Sequence, residues 1–166
     1  MSTQKNMASA FAGESQANRK YLAFAKKADD EGYPQVARTF RAAAAAETIH
    51  AHNHFRNMGG VNDTAKNLEV AIEGENYEFT KMYPEFIKEA EKENAGTALN
   101  SFKQANEVEK IHHELYNEAL ETIKNGKDLE EGKMFVCPVC GHTVKGEAPE
   151  SCPICHVPGD KYMEIE

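Results

Sequence analysis

The chain has 166 residues, 28% of them charged, and a formal net charge of −8 without any basic cluster of the kind that tracks phosphates, which disfavours a nucleic-acid role. The opening MSTQKNMASAFAGES has no apolar segment, and no stretch approaches the ~18 apolar residues of a membrane span. Neither a signal peptide nor a membrane anchor is expected, and the cytoplasm is the default location.

The front of the chain is rich in Ala, Glu and Lys and poor in β-branched residues, Pro and Gly, a composition that reads as helix. The first helix is predicted over 4–31, stopping at Gly32-Tyr33-Pro34, and the second over 34–58, stopping at Gly59-Gly60. A third over 66–93 ends at Asn94-Ala95-Gly96, and a fourth over 95–124 ends at Asn125-Gly126. Rods of that length span roughly 37–45 Å, and four of them with short connections make a bundle. All four cysteines follow, between 137 and 155. The chain therefore divides into a cysteine-free front, 1–130, and a cysteine-rich tail, 131–166. The tail is punctuated by Gly and Pro and too short for a core of its own, so something other than burial must hold it together.

The front contains a repeat. A shift of 62 residues places Tyr21 on Tyr83, Phe24 on Phe86, Ala28 on Ala90, Phe40 on Phe102, Glu47 on Glu109, Ile49 on Ile111 and His50 on His112. Upstream the shift is 61, aligning Ala10-x-x-Gly13-Glu14 with Ala71-x-x-Gly74-Glu75. A helix pair has been duplicated, with one residue gained or lost between Glu14 and Tyr21, a slip that a π-bulge absorbs.

That repeat gives weight to an otherwise weak signal. With 22 Glu and 7 His in the chain, chance alone supplies about one Glu-x-x-His. Here Glu47/His50 and Glu109/His112 occupy matched places, and a single Glu, 14 or 75, leads each half. One Glu from each of two helices plus Glu-x-x-His from each of two others is the donor pattern of carboxylate-bridged dimetal bundles. Carboxylates bridge hard cations, imidazole suits iron and its neighbours, and four glutamates balance the charge of two divalent ions. Glu78, one turn beyond Glu75, adds a fifth carboxylate whose repeat-mate, Gln16 or Ala17, is not acidic, so the site should be asymmetric. Tyr21 and Tyr83 lie about two turns from the leading glutamates, where core packing is the plain reading and a ligand carboxylate would satisfy a buried hydroxyl. His52 and His113 point off the ligand face and are expected in solvent; His54 is expected as a polar neighbour. The alanines at 42–46 allow close helix approach.

In the tail, Cys137-Pro-Val-Cys140-Gly141 and Cys152-Pro-Ile-Cys155 form two knuckles that give a tetrahedral S₄ site. Their spacing alone leaves zinc and iron open. Metal binding would supply the folding energy that the segment lacks.

With these motifs the chain resembles rubrerythrin over nearly its whole length. The resemblance rests on Gly13-Glu14-Ser15-Gln16-Ala17, Glu47-x-x-His50, Glu75-x-x-Glu78, Met82-Tyr83-Pro84, Glu109-x-x-His112 and the two knuckles. It implies a mainly α fold: a ferritin-like four-helix bundle holding a non-haem di-iron centre, then a small rubredoxin-like domain with a single iron on Cys137, Cys140, Cys152 and Cys155, three irons per chain. It also implies hydrogen peroxide as substrate and electrons drawn from NAD(P)H through a redox protein such as rubredoxin or its reductase. By position, Glu47 and Glu109 would bridge the irons, Glu14 and Glu78 would favour one, and Glu75 and His112 would hold the other. His50 would exchange with Glu78 on change of oxidation state, and Tyr21 and Tyr83 would bond ligand carboxylates. One departure is His156, where the family pattern usually has Gly after the last cysteine, a position that tends to positive φ.

A ferroxidase takes its electrons from the iron it oxidises, whereas a peroxide reductase must be reloaded, and a one-electron S₄ iron on the same chain suits reloading. The alternative is a ferroxidase, another iron-handling protein or a zinc-ribbon interaction protein on the same scaffold. The fourth helix runs about 12–15 residues beyond Glu109, which puts the start of the tail roughly 20 Å from its own ligands. That distance leads to the expectation of a head-to-tail homodimer.

Overall fold

Ser2 opens the first helix, its hydroxyl accepting a long bond (3.4 Å) from the Lys5 backbone N–H. The computed structural model describes residues 2–166, and α1 runs over Thr3–Asp30. After a turn at Gly32, α2 (Pro34–Asn57) starts on a proline whose missing N–H costs nothing in the first helical turn. These two helices pack together as a unit ending at Asn62. Ala37, Ala44 and Ala51 are buried on α2 at seven-residue spacing, which makes one seam, and Ala25 and Ala28 are buried on α1. Small side chains there bring the two backbones close. Asn18 is the polar exception in that seam: its amide donates to the Ala44 carbonyl at 2.7 Å and to Thr48 Oγ1 at 2.8 Å, tying α1 to α2.

The second unit spans Asp63–Glu166. Asp63 caps α3 (Thr64–Tyr77) by accepting from the Lys66 N–H at 2.9 Å. The helix then widens into a π turn over Glu78–Met82, where the Tyr83 N–H reaches back five residues to the Glu78 carbonyl, and continues as α4 (Tyr83–Lys92). Eight residues separate Glu75 from Tyr83 where seven separate Glu14 from Tyr21, so the π turn sits where the repeat shows its slip. The extra residue belongs to the second half. Asn94, at φ 53°, turns the chain into α5 (Gly96–Lys124), against which α3 and α4 both pack.

The repeat is visible in side-chain packing as well. Tyr21, Phe24 and Phe40 form a triangle with ring centroids 6.4, 6.3 and 5.6 Å apart, and Tyr83, Phe86 and Phe102 repeat it at 6.2, 6.3 and 5.5 Å.

Beyond α5, three short strands, β1 (Met134–Val136), β2 (Thr143–Lys145) and β3 (Met163–Ile165), form an antiparallel sheet in the order β2-β1-β3. The fold is mainly α with a small cysteine-clamped sheet at its C-terminal end.

Candidate metal centres

In the first unit, Glu14 on α1 and Glu47 and His50 on α2 bring one ligand atom each to within 4.8 Å of the others. The i, i+3 spacing stacks Glu47 beneath His50 on one helix face, and His50 Nδ1 lies 2.7 Å from Glu47 Oε2. Among the described residues this is the only bond to the His50 ring, which is 53% exposed.

In the second unit, Glu75 on α3 and Glu109 and His112 on α5 form the matching triad, again within 4.8 Å. His112 Nδ1 is 2.8 Å from Glu109 Oε2 and 3.9 Å from Glu75 Oε1. Burial, followed by the charge of Glu109, pushes Glu75 up to about 7. Glu78 is likewise raised by burial and by Glu109, and His112 is raised chiefly by its hydrogen bond to Glu109. The structure thus gathers six of the seven residues expected as ligands into two triads. Glu78, on the π turn, lies outside the 4.8 Å group but within electrostatic reach of Glu109 and His112.

Tyr83 lies within electrostatic reach of the second triad. Burial and the charges of Glu109, Glu78 and Glu75 raise its pKa, as burial, Glu75 and Glu109 do for Tyr116. Tyr21 packs on Phe24 and Phe40. Among the described residues neither the Tyr21 nor the Tyr83 hydroxyl hydrogen-bonds a carboxylate of its own unit. His52 is exposed and His54 half-buried. The expectation of a solvated His113 is corrected: its ring is half-buried, edge-on to Phe79 at 5.4 Å, with the Asn117 amide beside it. The π turn that carries Phe79 covers this ring.

In the tail the four cysteine Sγ atoms also lie within 4.8 Å of one another, and the Cys137–Cys155 and Cys140–Cys152 pairs are 3.5 Å apart. Disulfide sulfurs would be ~2.05 Å apart, whereas a tetrahedral ion at ~2.3 Å from each sulfur spaces them by roughly 3.8 Å. The thiols are free and arranged for an ion. Burial raises Cys140 and Cys155, while Cys152, against the same burial, is brought down to about 6 by the Cys155 backbone and the Tyr162 hydroxyl. Tyr162 also lies 2.9 Å from Nδ1 of the buried His142. The two knuckles turn at Gly141 (φ 85°) and at His156 (φ 63°), so His156 adopts the left-handed conformation expected of the glycine that it replaces.

The tail doubles back along α5. Alternation in β2 puts Thr143 and Lys145 on one face, and both meet that helix: Thr143 Oγ1 is 3.0 Å from His112 Nε2, and Lys145 Nζ is 2.6 Å from Glu118 Oε2. A Cβ placed on Gly141 would sit 3.7 Å from the buried Val108. The expected separation of about 20 Å between tail and ligands, obtained by extending α5 to its end, is therefore corrected, because the return through 125–133 cancels that length. The distance argument for a head-to-tail homodimer goes with it. Thr143, Tyr162, His142 and Tyr116 had no sequence signal: none belongs to a spaced motif, and their partners are fixed by tertiary docking.

Two family models match the chain: Rubrerythrin over residues 5–120, and Rubrerythrin, rubredoxin-like domain, over 135–163. The chain belongs to the rubrerythrin family. Among curated relatives, Rubrerythrin-2 of Clostridium acetobutylicum is 38% identical, with 93% of this chain and 92% of the relative covered. Nigerythrin of Nitratidesulfovibrio vulgaris is 38% identical, covering 97% and 85%. A solved structure, the fully reduced state of nigerythrin (all ferrous), is similar at a TM-score of 0.59 and 36% identity over 99% of this chain and 87% of that one.

As in other rubrerythrins, the fold is ferritin-like helices followed by a rubredoxin-like domain, and the cofactors are iron: a non-haem di-iron centre and one iron on the cysteine knuckles. The donor set fits. Carboxylates crowded closely enough to raise Glu75 to about 7 are a cluster that divalent cations neutralise. Rubrerythrins are oxidoreductases known for peroxide reduction. No helix of the chain is long and apolar enough to cross a membrane among the described residues.

Proposed function

We propose that this rubrerythrin is a non-haem di-iron peroxidase that reduces hydrogen peroxide to water, reloaded through its cysteine-bound iron by an NAD(P)H-linked redox protein in the cytoplasm. In this reading the functional division is 1–130 for the di-iron domain and 131–166 for the electron-relay domain. Glu14, Glu47, His50, Glu75, Glu78, Glu109 and His112 hold the iron pair, and Cys137, Cys140, Cys152 and Cys155 hold the third iron. The observation that carries the reading is the docking of the knuckle domain on α5, the helix that presents Glu109 and His112. A ferroxidase has no use for such a relay. Because the relay docks on its own chain, the electron route does not require a head-to-tail homodimer.

When bound, the iron pair supplies the two electrons of H₂O₂ + 2H⁺ + 2e⁻ → 2H₂O. The protein supplies the surroundings. His112 is fixed at both ring nitrogens, by Glu109 and by Thr143, whereas His50 is fixed at one and exposed, which leaves it the freer ligand of the two. Tyr83 and Tyr116, raised by burial and by the carboxylates, keep their O–H bonds across the neutral range and stand as hydrogen-bond and proton donors beside the second triad. Tyr21 has the matching place in the first half.

The test is a single turnover. Protein loaded with iron and fully reduced is mixed with one equivalent of hydrogen peroxide, and visible absorbance follows the ferric thiolate colour of the tail. Prompt oxidation, with one peroxide consumed per two electrons, supports the reading. Reduced protein that peroxide leaves unchanged refutes it, as does metal analysis finding zinc alone on the cysteines of active protein.

A further inference from the structure

Among the described residues His112 is the ligand candidate that hydrogen-bonds the knuckle domain, through a Thr143 hydroxyl that also has a backbone carbonyl within reach. Thr143 Oγ1 donates its only hydrogen to the Gly141 carbonyl at 3.0 Å. Toward His112 Nε2, also 3.0 Å away, the hydroxyl then offers only a lone pair, so Nε2 carries a hydrogen and donates it. The other nitrogen, Nδ1, faces Glu109 Oε2 at 2.8 Å and Glu75 Oε1 at 3.9 Å. Two carboxylate oxygens facing Nδ1 call for positive charge there: a proton in the metal-free protein, which makes the contact the hydrogen bond to Glu109, or a metal ion in the proton's place. The repeat-mate, His50, lacks any such second bond among the described residues, although its Nδ1 meets Glu47 in the same way. The knuckle domain therefore distinguishes two ligands that the duplicated sequence made equivalent.

We propose that Thr143 is a positioning residue of the metal centre: its hydroxyl locks His112 in the Nε2–H tautomer and so presents Nδ1 to the metal beside Glu75 and Glu109. The inference rests on the reading of this triad as part of the di-iron centre. The turn that carries the lock runs close to α5, where a Cβ on Gly141 would lie 3.7 Å from Val108. Ligand histidines commonly donate their second ring N–H to a fixed acceptor, and loss of that acceptor typically costs 10–100-fold in metal affinity.

Full-length protein with its cysteine site filled is titrated with zinc, a redox-inert probe, and the ring nitrogens of His112 are observed by ¹⁵N NMR. Wild type is expected to show metal on Nδ1 and hydrogen on Nε2. Thr143→Val should bind zinc at the triad about 10–100-fold more weakly and lose the single-tautomer signature, and Thr143→Ser should restore both. Thr143→Ala takes the place of the valine variant if that chain does not fold. Lys145→Ala, which removes a docking contact without touching His112, should bind as wild type does. Equal affinity in wild type and Thr143→Val overturns the proposal, and so does an equal loss in Lys145→Ala. Wild type that binds no zinc at the triad refutes the di-iron reading itself, a result distinct from either.

Discussion

Glu75 and His112 hold their protons more tightly in the folded chain than their ordinary values of 4.5 and 6.5 allow. Burial and Glu109 push Glu75 to about 7, and the Glu109 hydrogen bond raises His112. A group with a raised folded-state pKa contributes stability at low pH that is lost as the pH climbs through the shifted value. Both groups act in the same direction. Metal-free protein should therefore become less stable as the pH climbs from the ordinary Glu75 value of 4.5 to about 7, with His112 adding to the loss in the same direction. Glu75→Gln should flatten that slope, and a divalent ion should reverse it by favouring the ionised carboxylate. Urea midpoints measured across the range decide the matter: a midpoint that rises with pH in metal-free wild type would contradict this account. The same residues show what one chain discloses. Glu-x-x-His pairs were legible because spacing on a helix fixes which side chains share a face. The raised Glu75 was not, because it depends on Glu109 arriving from another helix.

At the scale of elements, the informative feature is the π turn at Glu78–Met82. The repeat showed that one residue had been gained or lost, and only the structure places it in the second half. In the first half, α1 passes from Glu14 to Tyr21 as unbroken α-helix. That contrast supplies a natural control. Deleting Thr80, within the π turn, should let α3 and α4 fuse into regular helix, as α1 already is. Far-UV circular dichroism should change little. Because the π turn absorbs the extra residue, the deletion should leave Glu75 and the Tyr83, Phe86 and Phe102 triangle in the register that Glu14 and Tyr21 already have, and should displace Glu78, which the turn itself carries. Metal uptake at the second triad should then fall by about tenfold or more, the range seen when ligand support is lost. Uptake equal to wild type would mean that the π turn is a passive scar of duplication. The helices themselves were readable from composition and from breaks at Gly32, Asn94 and Gly126. The half-buried His113 was misjudged for a related reason, since Phe79, which covers it, rides on the π turn.

At the scale of the molecule, the chain depends on metal to different degrees in its different parts. The helices have a seam of buried alanines between α1 and α2, two aromatic triangles, and side-chain caps on α1 and α3. The tail has three strands of three residues each, one of them exposed throughout, and its largest fully buried side chains are Cys137 and Cys152. What is buried there is mainly the ligand set itself, so the energy of metal binding is the energy of folding, of order 10–16 kcal/mol for comparable sites. His156 in a left-handed conformation that Gly adopts without strain adds a small cost that the metal must also offset. Stripping the metal with a chelator under reducing conditions should unfold residues 134–165 and leave the helices intact. Hydrogen exchange would read this as loss of protection at Met134–Val136, Thr143–Lys145 and Met163–Ile165, with α1 and α2 unchanged. Along α5, side chains near Val108, His112 and Glu118 should become more accessible, because their cover is the knuckle domain and its three contacts. Protection of the strands that survived removal of the metal would show that the sheet and its docking on α5 suffice, and the link from cysteine site to His112 would then be independent of the ion that it serves.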